Sequence, residues 1–248
     1  MVIESWLNEC TAPEARGRVF SIYMVLSYLG IGIGQFLLKL GDPRGEGLFF
    51  LAGILLALCT VPVSVTSAIS PTMPASSRLT LRELLRKTPL GMLGCLTAGL
   101  LNRGVYALGP VFGHAIGLNV SQISLLMGAG VLGGLTLQWP VGTVSDRFDR
   151  TLVLPVLAAL IAILSLVVLL ATRASFAALL TAMALYGGIG FTLYPVAVAR
   201  GHDLFAPAEV VAVSSGLLFS YGVGASIGPV LAAAAMSFGP HGLFAYTA

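Results

Sequence analysis

The sequence predicts an all-α, polytopic membrane protein, and three observations carry that expectation. Hydrophobic residues make up 57% of the 248-residue chain and mean hydropathy is +0.96. Charged residues are only 9%, against roughly a quarter in soluble domains, so there is too little polar surface to cover a globule in water. Seven stretches, about 19–40, 48–66, 90–112, 122–144, 151–171, 175–199 and 210–238, are apolar over the ~20 residues that a helix needs to cross hydrocarbon. Basic residues also alternate from joint to joint. Arg16, Arg18, Arg78, Arg82, Arg86, Lys87, Arg147, Arg150 and Arg200 fall on one set, and only Lys39, Arg44 and Arg173 on the other. By the positive-inside rule the first set is cytoplasmic.

Taken in order, the run 19–40 is broken only by small or hydroxylated residues, and Gly30 and Gly34 share one of its faces. The joint from Ser64 to Pro89 changes character: Ser67–Ser77 reads as a flexible linker. Leu79–Lys87 then alternates leucines with Arg82, Glu83, Arg86 and Lys87, as an interfacial amphipathic helix does. This divides the chain into 1–66, a cytoplasmic linker over 67–89, and 90–248. Gly130 and Gly134, and likewise Gly224 and Gly228, repeat the four-residue glycine spacing that lets helices approach closely in lipid. The run 151–171, almost purely aliphatic, is expected to face lipid. Ser121 is expected to cap the helix that follows it, and Tyr194-Pro195 to shape the cytoplasmic end of its helix, because proline removes a backbone donor. Ala12-Pro13, Gly30 and Gly34 recur as Ala206-Pro207, Gly224 and Gly228 at one offset, an echo of the parallel repeats of two-halved transporters. The first residues and the last, Gly242–Ala248, read as pieces of two further spans.

Gly142-Thr143-Val144-Ser145-Asp146-Arg147-Phe148-Asp149-Arg150 is a charged knot between two apolar runs. It resembles motif A of the major facilitator superfamily, although that pattern has glycine where Asp149 stands. Pro13–Arg18 resembles the superfamily's loop between helices 4 and 5. Gln138–Gly142, Gly190–Val196, Ser220-Tyr221 and Gly228-Pro229 are similar to bacterial members of the YcaD type. The resemblance covers essentially the whole chain and implies a partial 6+6 bundle. The seven spans would be helices 5 to 11, flanked by the end of helix 4 and the start of helix 12. It also implies a secondary transporter of a small solute working by alternating access, multi-pass in the bacterial inner membrane. Gly228-Pro229 resembles the core of the antiporter motif, but Gly34-Gln35 stands at the diagnostic position in helix 5, so antiport is not expected.

Within the membrane Arg103 stands out, because an ionised side chain at depth costs at least a few kcal/mol and normally faces a cavity or partner. It reads either as an anchor for an anionic solute, with Asn102 and Tyr106 as hydrogen-bonding neighbours, or as an arginine that snorkels to the far surface. Gln35, Tyr28, Tyr186 and Tyr221 are further mid-span polar groups that fit a solute cavity or helix–helix hydrogen bonds. Gly142, Asp146, Arg147 and Arg150 are expected to gate. Asp146 would face the positive N-terminal end of a neighbouring helix, while Arg147 and Arg150 would pair with Glu9 or Glu14. None of the ten acidic residues lies mid-span, so coupling to protons would need a carboxylate beyond these seven runs. No spacing suggests a catalytic site, a metal, a cofactor or nucleic acid. A seven-helix receptor lacks the deep lysine a retinal site needs, and a membrane enzyme lacks mid-span catalytic groups. A truncated gene product without function stays open.

Overall fold

A computed structural model describes residues 16–37, 41–42, 45–65, 79–206 and 209–248; along 16–28 it describes the side chains of only Tyr23, Leu26 and Ser27, and it does not describe that of Val63. It divides into two compact units, residues 1–75 and 76–248. In the first, α1 (Arg16–Leu37) and α2 (Gly47–Val65) are described. The second holds α3 (Leu81–Lys87), α4 (Pro89–Ala115), α5 (Val120–Arg147), α6 (Arg150–Ala171), α7 (Phe176–His202), α8 (Val210–Met236) and the short α9 (Gly242–Thr247). Every described element is a helix. On length and composition, α5, α6, α7 and α8 are apolar enough to cross a membrane. The 27-residue α4 is long enough, but Asn102-Arg103 in its middle lowers its hydropathy.

The helix ends follow from local chemistry. Thr80 opens α3 with a capping box: its side chain accepts from the Glu83 N–H, and the Glu83 carboxylate accepts from the Thr80 N–H at 2.9 Å. α4 begins with proline, whose missing N–H costs nothing in the first turn, and ends on Gly117 at φ +86°, where the Leu118 N–H reaches back to the Gly113 carbonyl. Asn119, rather than the expected Ser121, then caps α5. Its Oδ1 accepts from the Gln122 N–H at 2.9 Å, and the Gln122 side chain returns the bond at 3.0 Å. The reason is register: Asn119 is the last residue with extended backbone, so its amide meets the open N–H groups, whereas Ser121 already lies inside the first turn.

Packing in the second unit is dominated by two helix pairs, α4 with α8 and α5 with α7, with α6 laid against α7. Glycine decides both pairs. A Cβ on Gly99 would collide with the Tyr221 carbonyl, and one on Gly224 or Gly228 with the carbonyls of Leu96 or Leu100. Across the other pair Gly133 faces the Ala184 carbonyl and Gly187 the Gly130 carbonyl. Main chain therefore rests on main chain, the arrangement that holds helices together in lipid, where apolar side chains gain nothing by leaving the solvent. Gly130 and Gly134 lie against Met183 and Phe191. Gly30 and Gly34 of the first unit meet nothing within 4 Å among the described residues.

α6 divides cleanly. Leu154, Leu157, Ile161, Ser165 and Val168, spaced by three and four, are buried, while Leu152, Val156, Leu160, Ile163, Leu166, Val167 and Leu170 are exposed. That outer face is aliphatic throughout, as the composition of the run anticipates.

Candidate functional site: a basic-end ion cluster and two mid-helix aromatic groups

The charged turn closes on a partner the sequence did not single out. Arg150, the first residue of α6, donates from Nη1 to both Asp203 carboxylate oxygens at 2.7 and 2.8 Å, and from Nη2 to Asp146 at 2.5 Å. Asp146 is the last residue but one of α5, and Asp203 forms the C-cap of α7. One guanidinium thus joins the ends of three helices, with Nη1 shared between the two oxygens of Asp203 and Nη2 given to Asp146, charge-assisted bonds on both arms. The Arg150 side chain is 20% exposed, against 40% for Asp203 and 70% for Asp146, so the Asp203 arm is the better shielded from solvent. Glu9 and Glu14, the expected partners of Arg147 and Arg150, lie outside the described residues; Arg147 is exposed at the surface.

Asp149 fills the position where the family pattern has glycine. Its backbone sits at φ −62°, ψ 117°, open to any residue, and its side chain caps α6 by accepting from the Thr151 N–H at 2.9 Å. Hydrogen bonds from Thr151, hydroxyl first and backbone N–H second, hold its carboxyl below the usual range.

Behind this cluster, between α5 and α7, is a cavity of about 180 Å³ lined by Gln138, Gly142, Ser145, Asp146, Arg150 and Thr192 among others. Gly142 faces open space, which helps to keep the gap. Three buried polar atoms on the residues around it have no protein partner: Gln138 Oε1, Ser145 Oγ and Arg150 Nε. Buried polar atoms are normally satisfied, so this is a space built for water or a small polar group.

The mid-helix residues separate into two groups. Asn102, Tyr106 and Tyr186 line one small cavity of about 20 Å³ with Phe191, room for about one water molecule. There the Asn102 amide donates to the Gly190 carbonyl at 3.2 Å, and Tyr106 meets Phe191 edge-on at 5.9 Å. Tyr186 is buried and packs edge-on against Phe244 at 5.4 Å. Arg103 belongs to the other group. It is exposed, with its guanidinium 6.0 Å from the Tyr221 ring, at the outer limit of a cation–π contact. Tyr221 in turn meets Tyr194 at 4.8 Å. Adjacent helical residues point about 100° apart, so Asn102 engages α7 while Arg103 turns to α8. Gln35 is half-buried in the first unit, and the side chain of Tyr28 lies outside the described residues.

Pro229 follows Gly228 within α8 and is half-buried. The polar residues that sequence reasoning passed over are Asp203, Gln138, Ser145 and Thr192. Asp203 was visible only as an acidic residue after a long apolar run, and Gln138 and Ser145 only as members of Gln138–Gly142 and of the charged knot, with no role of their own; seven apart, they lie two turns along one helical face.

Comparison with known proteins places these features in a family. The model of the Major Facilitator Superfamily matches residues 2–229. An "Uncharacterized MFS-type transporter YcaD" of Escherichia fergusonii is 32% identical over 242 residues, which is 95% of this chain and 61% of the relative. Proteins of the same description from Salmonella typhimurium and an Escherichia coli strain are 33% identical over 239 residues, with the same coverage of both chains. The chain therefore spans about 61% of the length of these curated relatives.

Proposed function

Because the chain belongs to the major facilitator superfamily and is an integral, multi-pass membrane protein, we propose that it forms part of a secondary transporter that moves a small solute by alternating access. In this reading residues 1–66 and 90–248 belong to two helix bundles joined through 67–89, the basic loops lie in the cytoplasm, and the membrane is the bacterial inner membrane. The observation that carries the solute site is Arg103, an exposed cation midway along α4, with Tyr221 beside it and Asn102 preceding it. A permanent positive charge at that depth is costly unless it meets water or an anion, and the neighbouring Tyr221 offers orientation by hydrogen bonding. The solute is accordingly a small organic anion. Tyr221 and Tyr194 flank the anchor on α8 and α7, while Asn102, Tyr106 and Tyr186 hold α4 and α7 together behind it.

The test is thermal stabilisation of the purified protein by a panel of mono- and dicarboxylates, sugar phosphates, neutral sugars and organic amines. At least one anion class should raise the unfolding midpoint, and Arg103→Ala should abolish the shift while Arg103→Lys retains part of it. Stabilisation by amines or neutral sugars alone would remove the anchor role of Arg103 and leave the transporter reading standing.

The cluster of Asp146, Arg150 and Asp203 serves as the cytoplasmic latch. It fixes the ends of α5, α6 and α7 to one another through charge-assisted hydrogen bonds, which are roughly twice as strong as neutral ones. Gly142, within α5, gives the cavity behind the cluster its space, and Arg147 is exposed at the surface. Asp146→Asn should shift the transporter towards its inward-open form. The measure is the labelling rate of a cysteine introduced on the cytoplasmic side of the pathway, and equal rates in the two proteins would remove the latch role.

A further inference from the structure

We infer that α3 and the groove beside α4 form a binding site for an anionic phospholipid of the leaflet at the basic end of the second unit. The inference rests on the membrane placement of the chain and not on Arg103 or any solute.

The first observation is how α3 is held. Leu84, 2% exposed, is seated against Gly216 of α8, where a Cβ would overlap its Cδ1. Lys87 lies 4.9 Å over the Phe205 ring. These two contacts fix the rotation of the helix about its axis. At about 100° per residue, Leu81 and Leu85 then form one strip beside the buried Leu84, and Arg82 and Arg86 form the next strip outward. Leu81 and Leu85 are 44% and 48% exposed, as suits the apolar strip of a helix lying in a membrane interface. Arg82 and Arg86 border an open space of about 560 Å³ together with Thr80 and Glu83. The Glu83 carboxylate is tied back to the Thr80 N–H and hydroxyl, both at 2.9 Å, which leaves the two guanidinium groups as the donors facing that space.

The second observation is independent of the first. Only Thr88 separates α3 from α4, and the opening turns of α4 border an apolar groove of about 150 Å³, walled by Leu90 and Leu93 on one side and by Leu154, Pro155 and Ala158 of α6 on the other. These residues lie within about 15 Å of the helix starts at 1.5 Å per residue, the depth of the upper part of an acyl chain in a core of about 30 Å. A basic strip on α3 and an apolar groove beside the start of α4, with one residue between the two helices, match the two halves of a phospholipid. The groove lies too deep for a water-soluble partner, and the two arginines select against a zwitterionic headgroup, because basic residues gain attraction only from a net negative charge.

The test offers the delipidated protein, in mild detergent, equimolar phosphatidylglycerol and phosphatidylcholine, and counts retained lipids by native mass spectrometry. The expected result is a preference for phosphatidylglycerol of roughly tenfold, lost in Arg82→Gln/Arg86→Gln, with total lipid retention reduced in Ala158→Phe, which fills the groove. The competition in the unaltered protein needs no variant to fold. Equal retention of the two lipids, a preference that survives the double substitution, or full competition by inorganic phosphate at millimolar concentration would each overturn the assignment.

Discussion

Asp149 shows how one side chain can take over from a glycine without changing the turn around it. Its backbone angles need no glycine, and its carboxylate supplies α6 with the cap that glycine would lack. Since its folded-state pKa lies below that of the unfolded chain, the stability it contributes is present above the ordinary aspartate range near pH 4 and is lost as the pH falls through its lowered folded value. Thermal unfolding followed from pH 7 to pH 3 should therefore show a lower midpoint at every pH above 4 for Asp149→Ala. Asp149→Asn, which keeps the capping oxygen, should stay close to the parent at neutral pH and lose less on acidification. Arg150 is a different case, because three helix ends depend on one guanidinium. Arg150→Gln leaves the carboxylates of Asp146 and Asp203 without their shared partner and should cost about 2 kcal/mol. Asp203→Asn, 40% exposed and therefore partly screened, should cost about 1 kcal/mol or less. Equal losses from the two substitutions, measured by denaturant or heat unfolding in micelles, would show that the cluster is not centred on Arg150. The sequence made the knot at Gly142–Arg150 visible through its charge density, but not Asp203, which lies 53 residues on from Arg150 and is brought back by the packing of α7 against α6. Arg103 and Tyr221 were each visible as mid-span polar groups, yet their pairing depends on the rotation of α4 against α8, which periodicity alone does not set.

At the scale of the element, the helices were legible because apolar runs of membrane length allow almost nothing else, and every backbone group must find its partner within the helix. Caps were less so, as Asn119 shows against Ser121. The glycines were read by spacing, and spacing finds faces without ranking the positions on them. Gly133 and Gly187, which the four-residue rule did not pick, sit as close to the opposite main chain as Gly224 and Gly228 do. Gly133→Val should therefore force α5 and α7 apart and cost about 1–3 kcal/mol or more. Gly222→Ala on α8, where a Cβ meets nothing within 4 Å, should be neutral or stabilise by up to about 1 kcal/mol through helix propensity. Heat-unfolding midpoints of the two variants in one detergent decide the matter; a Gly133→Val protein as stable as the parent would mean that the α5–α7 separation is not set by its glycines.

Among the described residues of the second unit, ion pairs and bare aliphatic surface occupy different parts of the helices, ends and middles. Ion pairs gather at the basic end, while the outer side of α6 carries only aliphatic residues. Ile163, 56% exposed and thirteen residues into α6, is placed to touch acyl chains. Ile163→Asp should lower membrane-inserted yield in line with the ~3 kcal/mol that an acidic residue costs at a helix centre, whereas Ile163→Leu should leave it unchanged. Normal insertion of the aspartate variant, measured by glycosylation mapping or carbonate-resistant yield, would mean that this side of α6 is covered by protein. The glycine contacts between α4 and α8 carry a last consequence, for how such a sequence can drift over time. A seam of backbone against backbone has no rotamers to rearrange and no cavity to take up a new methyl group. The large leucines and valines facing lipid can exchange freely, while the residues with the least chemistry of their own are the ones that drift can least afford to touch.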